Sequence, residues 1–156
     1  MSSSKSVLAW TLLALATVVL GCQPQDESPG FWLRGEVAVE RVDDWGFTRE
    51  IEEIFVETRP WYGIAHSTTI WCAELDGELF VGSYGEEIKT WEKNIASDSR
   101  AELSIDGRLY SVRLNPVMES AQGHALDAAY SQKYDMVDVF GSDLPSWRYY
   151  RVSRRD

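Results

Sequence analysis

The alternation of apolar and polar residues is strongest between Ile64 and Leu114. Two runs rich in β-branched and aromatic residues, IAHSTTIWCAEL and ELFVGSYG, flank the dipeptide Asp76-Gly77. A second pair of runs, AELSI and RLYSVRL, flanks Asp106-Gly107. Asp-Gly between two such runs favours a type I′ turn, because both turn residues need a positive φ that glycine adopts freely and aspartate tolerates. The pattern therefore predicts two β-hairpins.

The segment that joins the hairpins, SYGEEIKTWEKNI, has a helical pattern. Ile88, Trp91 and Ile95 recur at spacings of three and four residues, which places them on one face of a helix. We predict a helix of about three turns that opens at Ser83-Tyr84-Gly85. Trp91 is then expected to be a core residue.

The flanking segments supply further elements. Val37 and Val39 alternate with Glu36, Ala38 and Glu40, and Ile54, Val56 and Thr58 alternate with Glu53, Phe55 and Glu57, so each group predicts a half-buried strand. Helical spacing predicts a helix from about Ser120 to Tyr134, and Trp147 to Val152 predicts a last strand. The expected fold is mainly β, with two helices and six or seven antiparallel strands. Closure into a barrel is favoured because closing a sheet removes its edges.

The first 22 residues resemble a bacterial lipoprotein signal. Lys5 precedes an apolar run from Val7 to Leu20, which is shorter than the roughly 20 residues a membrane-spanning helix needs. The run ends in Val-Leu-Gly-Cys, which implies cleavage before Cys22 and attachment of diacylglycerol and palmitate-like acyl chains to it. The alternative is a plain secretory signal with an incidental cysteine. We expect a signal peptide over 1–21, a flexible tether over 22–34 and one domain over 35–156.

Charge and cysteine content narrow the function. The chain has a formal net charge of −10 at pH 7, and removal of Lys5 with the signal makes it more negative. Such a charge repels phosphate backbones, so a nucleic-acid partner is not expected. If Cys22 is acylated, Cys72 has no cysteine partner, which leaves neither a disulfide framework nor a cysteine metal site. We therefore expect attachment to the cell envelope through the lipid, on the outer membrane if the organism has one.

The chain resembles a known family, the flavin-binding split β-barrels. The resemblance rests on SYGEEIKTWEKNI, SDSRAEL, AAYSQKY and a closing strand rich in arginine, and it covers about residues 44–154. The sequence is similar to pyridoxamine-phosphate-oxidase-like proteins and deazaflavin-dependent nitroreductases, and most of all to an uncharacterised bacterial branch. The resemblance implies a six-stranded Greek-key split barrel, a homodimer, and a flavin in a groove between subunits. FMN is favoured over a deazaflavin.

A flavin phosphate needs hydroxyls, backbone N–H groups and a cation. The resemblance and this requirement together select ten cofactor-binding candidates: His66, Ser67, Thr68, Thr69, Trp71, Ser83, Tyr84, Gly85, Lys89 and Asn94. The opening of the predicted helix would offer free amides at the positive end of its dipole, with Lys89 one turn further on. No catalytic residue is assigned, because a flavin supplies its own chemistry.

Two departures from the family pattern keep other functions open. His66 stands where family members commonly have arginine or lysine. Glu86 and Glu87 fall in the predicted first helical turn, where two carboxylates would repel a phosphate. We therefore carry three hypotheses: an FMN-dependent oxidoreductase acting on a small molecule, a cofactor-free barrel that binds a small ligand, and a structural envelope lipoprotein.

Several residues also have an ordinary structural interpretation. Cys72 is expected to be a small buried hydrophobic residue, and His124 to be solvated. His66 is either a site residue or a loop histidine. The arginines of the last segment, Arg148, Arg151, Arg154 and Arg155, either reach an anionic ligand across a dimer or offset nearby acids on a solvated edge strand.

Overall fold

A computed structural model describes residues 30–155 of the chain. The predicted signal peptide, the lipidation of Cys22 and most of the predicted tether lie outside the described residues. The described part of the tether contacts the barrel, because the N–H of Gly30 donates to the carbonyl of Ser67 at 2.7 Å and the N–H of Ser67 donates back at 3.1 Å. Contacts with the barrel thus begin before the predicted domain boundary at Gly35.

The described residues form seven strands and three α-helices. In chain order they are β1 (Glu36–Val37), β2 (Glu53–Thr58), β3 (His66–Leu75), β4 (Glu78–Tyr84), α1 (Thr90–Ser97), β5 (Arg100–Ile105), β6 (Arg108–Pro116), α2 (Ser120–Lys133), α3 (Met136–Phe140) and β7 (Trp147–Arg154). A 3₁₀ turn, Gly46–Thr48, precedes β2. The short helix α3 was not predicted, because five residues are too few to show a helical period.

The sheet closes on itself. Its strand order is β6-β5-β2-β3-β4-β7, and β7 pairs with β6 again, so six antiparallel strands form a barrel. The short strand β1 adds to β6 in parallel. The predicted mainly β fold and antiparallel barrel are confirmed.

Both hairpin turns are confirmed as well. Asp76 and Gly77 have φ values of 54° and 82°, and Asp106 and Gly107 have 49° and 76°. These are the positive values that a type I′ turn requires at both central positions. The Asp-Gly dipeptides thus fix the register of the β3–β4 and β5–β6 hairpins.

Two apolar layers hold the fold together. The barrel interior contains buried side chains from the strands, including Ile54, Val56, Ile70, Leu79, Val81, Leu103, Val112 and Leu114. Trp91 and Ile95 of α1 join this interior, which confirms Trp91 as a core residue. A second layer packs α2 and α3 on the outside of β3, β4 and β7, with Tyr130 and Phe80 fully buried. Cys72 is buried, as expected for a small hydrophobic residue.

Three local expectations were wrong. In the first predicted strand the side chain of Ala38 is buried, whereas those of Val37 and Val39 are exposed. The Ala38 N–H donates to the Leu109 carbonyl, and its carbonyl accepts from the Arg154 guanidinium, so this residue is held against the barrel. The strand β7 is not an edge, since it pairs with β4 and β6.

The third error concerns the start of the helix between the hairpins. Ser83 and Tyr84 remain in β4, because they pair with Arg148 and Trp147 of β7. The chain turns at Gly85, where φ is 85°, and α1 begins only at Thr90.

Candidate functional site

The start of α1 surrounds the carboxylate of Glu92 with hydrogen-bond donors. One oxygen accepts from the Lys89 N–H at 2.8 Å and from the Ser83 hydroxyl at 2.7 Å. The other accepts from the Tyr150 hydroxyl at 2.6 Å. The Arg148 guanidinium donates to both oxygens, with Nε at 2.8 Å and Nη2 at 3.0 Å. Only 1% of the Glu92 side chain is exposed.

This carboxylate is held in its charged form. Burial opposes ionisation, yet hydrogen bonds from Arg148, Tyr150, the Lys89 N–H and Ser83 lower the pKa of Glu92. In return, the hydrogen bond to Glu92 raises the pKa of Arg148. Burial and the Glu92 carboxylate raise the pKa of the Tyr150 phenol. The cluster is therefore a compact ion pair whose remaining donors are neutral.

Arg148 also shapes the loop that precedes α1. Its guanidinium donates to the carbonyls of Gly85 and Glu87. Glu86 and Glu87 lie in this loop with exposed side chains, not in the first helical turn as predicted. The acid that the positive end of the helix faces is Glu92, three residues after the N-cap.

The start of α1 does not fit a flavin phosphate. A phosphate placed there would compete with the Glu92 carboxylate for the Lys89 N–H, the Ser83 hydroxyl and Arg148. Displacing Glu92 would leave a buried carboxylate beside a dianion, which is strongly unfavourable. An internal anion already occupies the place that an external anion would take.

The ten cofactor-binding candidates lie in different environments. Ser83 and Asn94 are buried, and the Asn94 amide donates to the Thr58 hydroxyl at 3.0 Å. Trp71 lies beneath α2, stacked on Tyr134 with ring centroids 4.2 Å apart.

Of the remaining candidates Ser67 and Thr68 are buried, and the others are partly exposed. His66 is hydrogen-bonded to the Tyr62 hydroxyl at 2.7 Å, and Ser67 pairs with Gly30. Lys89 places its ammonium 5.1 Å from the centre of the Tyr84 ring. The register puts Thr68 and Thr69 on alternate faces of β3, and Gly85 forms the bend after β4. Neither of the two concavities described below is lined by any of the ten residues. Their assignment to a cofactor therefore stays a prediction.

A second charged cluster lies on the outer face of β2 and β5. It lines an open pocket of about 440 Å³ formed by Glu57, Arg59, Asp98, Arg100, Ala101, Glu102 and Arg155, which we call the charged pocket. Glu57 accepts from Arg59 at 3.2 Å and from the Leu33 N–H at 2.8 Å. Arg155 donates to Glu102 at 2.9 Å.

Acids and arginines alternate around the charged pocket. The Arg100 side chain donates to both Asp98 oxygens, at 2.9 and 2.8 Å, and this hydrogen bonding lowers the pKa of Asp98 to about 2. Three carboxylates thus face three guanidiniums; Glu57 is 5% exposed, and the accessible charges of both signs are those of Asp98, Glu102 and the arginines. Sequence reasoning missed the pocket, although Glu57 and Glu102 alternate with the inward-facing Val56 and Leu103.

A third concavity is a groove of about 360 Å³ between the first half of α2 and β7. It includes His124, which is solvent-exposed as expected, and Asp127, which accepts from the Tyr149 hydroxyl at 2.8 Å. Within residues 30–155, no set of three or more His, Cys, Asp or Glu side chains is placed to hold a metal ion. Over the same range no helix is both long and apolar enough to cross a bilayer.

Comparison with protein families gives one match. A model described as "Uncharacterized protein conserved in bacteria (DUF2255)" matches residues 47–142, which is more than half of the chain. The chain belongs to the DUF2255 family. The matched range runs from the 3₁₀ turn to the end of α3 and includes Glu92. A comparison with curated proteins gives no match.

Solved structures share the fold at low identity. A conserved hypothetical protein from Mycobacterium tuberculosis has a TM-score of 0.55 and 17% identity, over 76% of this chain and 87% of that one. A protein of unknown function from Agrobacterium tumefaciens has a TM-score of 0.53 and 18% identity, over 70% of this chain. The match spans only 53% of that longer protein.

An FAD-binding protein from Mesorhizobium loti has a TM-score of 0.50 and 11% identity, over 70% of this chain and 86% of that one. The expected split-barrel fold, shared with the flavin-binding superfamily, is therefore confirmed. This chain, a member of the DUF2255 family, has the split β-barrel fold.

Proposed function

We propose that this DUF2255 protein is an exported, lipid-anchored barrel that binds a small polar molecule in the charged pocket, without a flavin phosphate at α1. The observation that carries the proposal is the Glu92 carboxylate, which takes up the donors at the start of α1. The ligand is placed in the charged pocket because charged side chains there remain exposed to solvent.

The charged pocket supports the choice of ligand class. Its volume of about 440 Å³ lies in the range of small-molecule sites. A ligand with both an amino and a carboxylate group can pair with Glu102 and with Arg100 or Arg155 at once. Free amino acids have this chemistry, so they are the probes of choice.

Attachment to the membrane is proposed from the sequence, on the Val-Leu-Gly-Cys motif that ends at Cys22. The test is intact-mass analysis of the full chain from bacterial membranes, which should show cleavage before Cys22 and acyl chains on it. In a Cys22→Ser variant the acyl mass should disappear. An unmodified Cys22 in the membrane fraction would contradict the anchor.

The function itself is tested with a chain that starts at residue 23, since the closed six-stranded barrel and both apolar layers described above lie within residues 30–155. Amino acids at millimolar concentration should raise its melting temperature. An Arg155→Gln variant should lose this shift, whereas Arg41→Gln should keep it, because Arg41 forms an exposed pair with Asp43 away from the pocket. Equal shifts in both variants would contradict the site.

An FMN-dependent oxidoreductase is the second candidate, favoured by the fold shared with the FAD-binding protein from Mesorhizobium loti. A bound flavin would supply hydride or electron transfer, and this chain's residues would orient it. The purified protein would then absorb in the visible flavin bands, and added FMN would quench tryptophan fluorescence. The homodimer implied by the resemblance is likewise a proposal, tested by light scattering.

A further inference from the structure

Two short segments carry a group of exposed aromatic and aliphatic side chains. These are Phe31, Trp32, Trp61, Tyr62 and Ile64, which we call the aromatic face; each is about half exposed or more, and Trp61 is 95% exposed. The rings of Phe31 and Trp32 stack at 5.7 Å, and those of Trp61 and Tyr62 meet edge to face at 5.6 Å. A monomer seldom exposes such a group without a partner for it.

Backbone contacts bring the two segments to the same end of the barrel. Gly30 pairs with Ser67 on the edge of β3 opposite β2, just after the loop that carries Trp61 and Tyr62. The Leu33 N–H donates to Glu57 near the end of β2. The aromatic face therefore combines the entry of the chain into the barrel with the β2–β3 loop.

The β2–β3 loop holds its aromatic residues outward. The Gly63 N–H donates to the Pro60 carbonyl at 2.9 Å, which closes a tight turn with Trp61 and Tyr62 at its tip. Gly63 has a φ of 82°, a value that glycine adopts without strain. The Tyr62 hydroxyl is fixed by His66 at 2.7 Å. Trp61 is thus displayed by a defined turn.

The charge of these segments is unlike that of the rest of the chain. Residues 30–35 and 59–73 contain Arg34, Arg59 and His66 but no aspartate or glutamate, although the whole chain has a net charge of −10. Glu57 contacts both segments, but its side chain is only 5% exposed and is paired with Arg59. The aromatic surface can therefore approach lipid headgroups with less repulsion than the acidic faces would meet. Tryptophan and tyrosine are also the residues that favour the membrane–water interface.

The position of the face matches the place where the chain would leave a membrane. Only residues 23–29 separate Cys22 from Gly30. Even fully extended, this stretch reaches no more than about 29 Å. A lipid on Cys22 would hold Gly30, and with it the aromatic face, close to the bilayer.

We propose that the aromatic face contacts the surface of a lipid bilayer and orients the barrel on it. The direction of approach rests on the proposed anchor, but binding by the face itself does not require the anchor. A lipid on Cys22 would supply most of the attachment, and the aromatic face would set which side of the barrel points away from the membrane. The charged pocket would then have a fixed orientation to the bilayer.

The test uses the chain that starts at residue 23, which has no lipid, and co-sedimentation with phosphatidylcholine vesicles. The unlipidated protein should partition onto the vesicles, with little change between low and high salt. A Trp32→Ser/Trp61→Ser double variant should bind roughly tenfold less. A Met118→Ser/Val137→Ser variant is the matched control, because it removes two exposed apolar side chains elsewhere and should bind like the wild type.

Three results would overturn the proposal. The first is absence of vesicle binding by the wild type, and the second is equal binding by the two double variants. The third is wild-type self-association, seen by light scattering and lost in Trp32→Ser/Trp61→Ser while vesicle binding is retained, which would make a second copy the occupant. Because the anchor is read from the mass of Cys22 and the pocket from amino-acid shifts, failure of this proposal is distinguishable from failure of the proposed function.

Discussion

The cluster at Glu92 and the charged pocket are built from the same types of side chain, glutamate and arginine, but these side chains have different roles. In both, a glutamate is paired with an arginine of the last segment, but Glu92 lies on α1 whereas Glu102 lies on β5. At α1 the carboxylate is 1% exposed and takes up donors from four residues. In the charged pocket the side chains of Glu102 and Arg155 are 28% and 30% exposed and border an open volume.

The difference shows that burial, not residue type, decides what a charged cluster can do. A desolvated carboxylate needs all its donors, so those donors cannot also receive a ligand. Solvated pairs are worth little to stability and can exchange partners at small cost. The helix start of this barrel can therefore serve structure, while the charged pocket on the outer face is the place where we propose that a ligand binds.

The largest expected effect is the loss of stability on removing the buried carboxylate. Glu92→Ala should lower the free energy of unfolding by about 3–5 kcal/mol, because the partly buried Arg148 and the hydroxyls of Ser83 and Tyr150 lose the carboxylate that they share. Urea denaturation of the chain from residue 23 measures this. Glu102→Ala is the matched control and should cost no more than about 1 kcal/mol. A Glu92→Ala loss as small as the control would remove the distinction between the clusters.

The next effect is on pH dependence. The folded-state pKa of Glu92 is depressed by Arg148, Tyr150, Lys89 and Ser83, so the unfolded chain takes up the proton first as the pH falls. The stability that this carboxylate contributes is complete above the unfolded pKa of about 4.3 and is lost as the pH falls through the lower folded value. The stability gap between wild type and Glu92→Gln should therefore narrow below that pH. A gap that stays constant would contradict the assignment.

A smaller effect separates the backbone of Lys89 from its side chain. Glu92 uses the Lys89 N–H, whereas the ammonium lies over the Tyr84 ring. Lys89→Glu should thus cost only about 0.5–1 kcal/mol, the value of a partly exposed cation–π contact. FMN titration of the same variant tests whether Lys89 binds a flavin phosphate. If it does, the affinity of Lys89→Glu for FMN should be much lower than that of the wild type.

The smallest effect is expected in the charged pocket. Arg155→Gln should change the free energy of unfolding by a few tenths of a kcal/mol, because its pair with Glu102 is solvated. A loss above about 2 kcal/mol in thermal or urea unfolding would show that the pocket is a structural cluster, like the one at Glu92.

The sequence predicted what is encoded locally. Asp76-Gly77 and Asp106-Gly107 carry their turn geometry in two residues, and the spacing of Trp91 and Ile95 marks a buried helix face. Ile88, predicted to lie on the same face, instead precedes α1 and is exposed. The start of α1 could not be predicted in this way, because its position depends on pairing between Ser83 and Arg148, which are far apart in the chain. The N-cap is Lys89, which is not one of the residue types that usually begin a helix, although Glu92 three residues later caps its N–H.

The candidate site was harder to predict from the sequence for the same reason, because it depends on contacts between distant parts of the chain. Glu92 looks like any acid on an amphipathic helix until the closing strand brings Arg148 and Tyr150 onto it. The one available signal was its place three residues after the N-cap, a position where glutamate often caps the backbone. The charged pocket likewise assembles from strands that meet only when the barrel closes.

The central claim is that the Glu92 carboxylate occupies the anion-binding position at the start of α1. It is tested most directly by removing this carboxylate and supplying phosphate from solution. Phosphate should raise the melting temperature of Glu92→Ala well above the shift it gives the wild type, with chloride of matched ionic strength as the control, because the vacated donors can bind it. Equal phosphate shifts in both proteins, or a wild-type shift that Lys89→Glu abolishes, would show that the helix start is already open to an external anion.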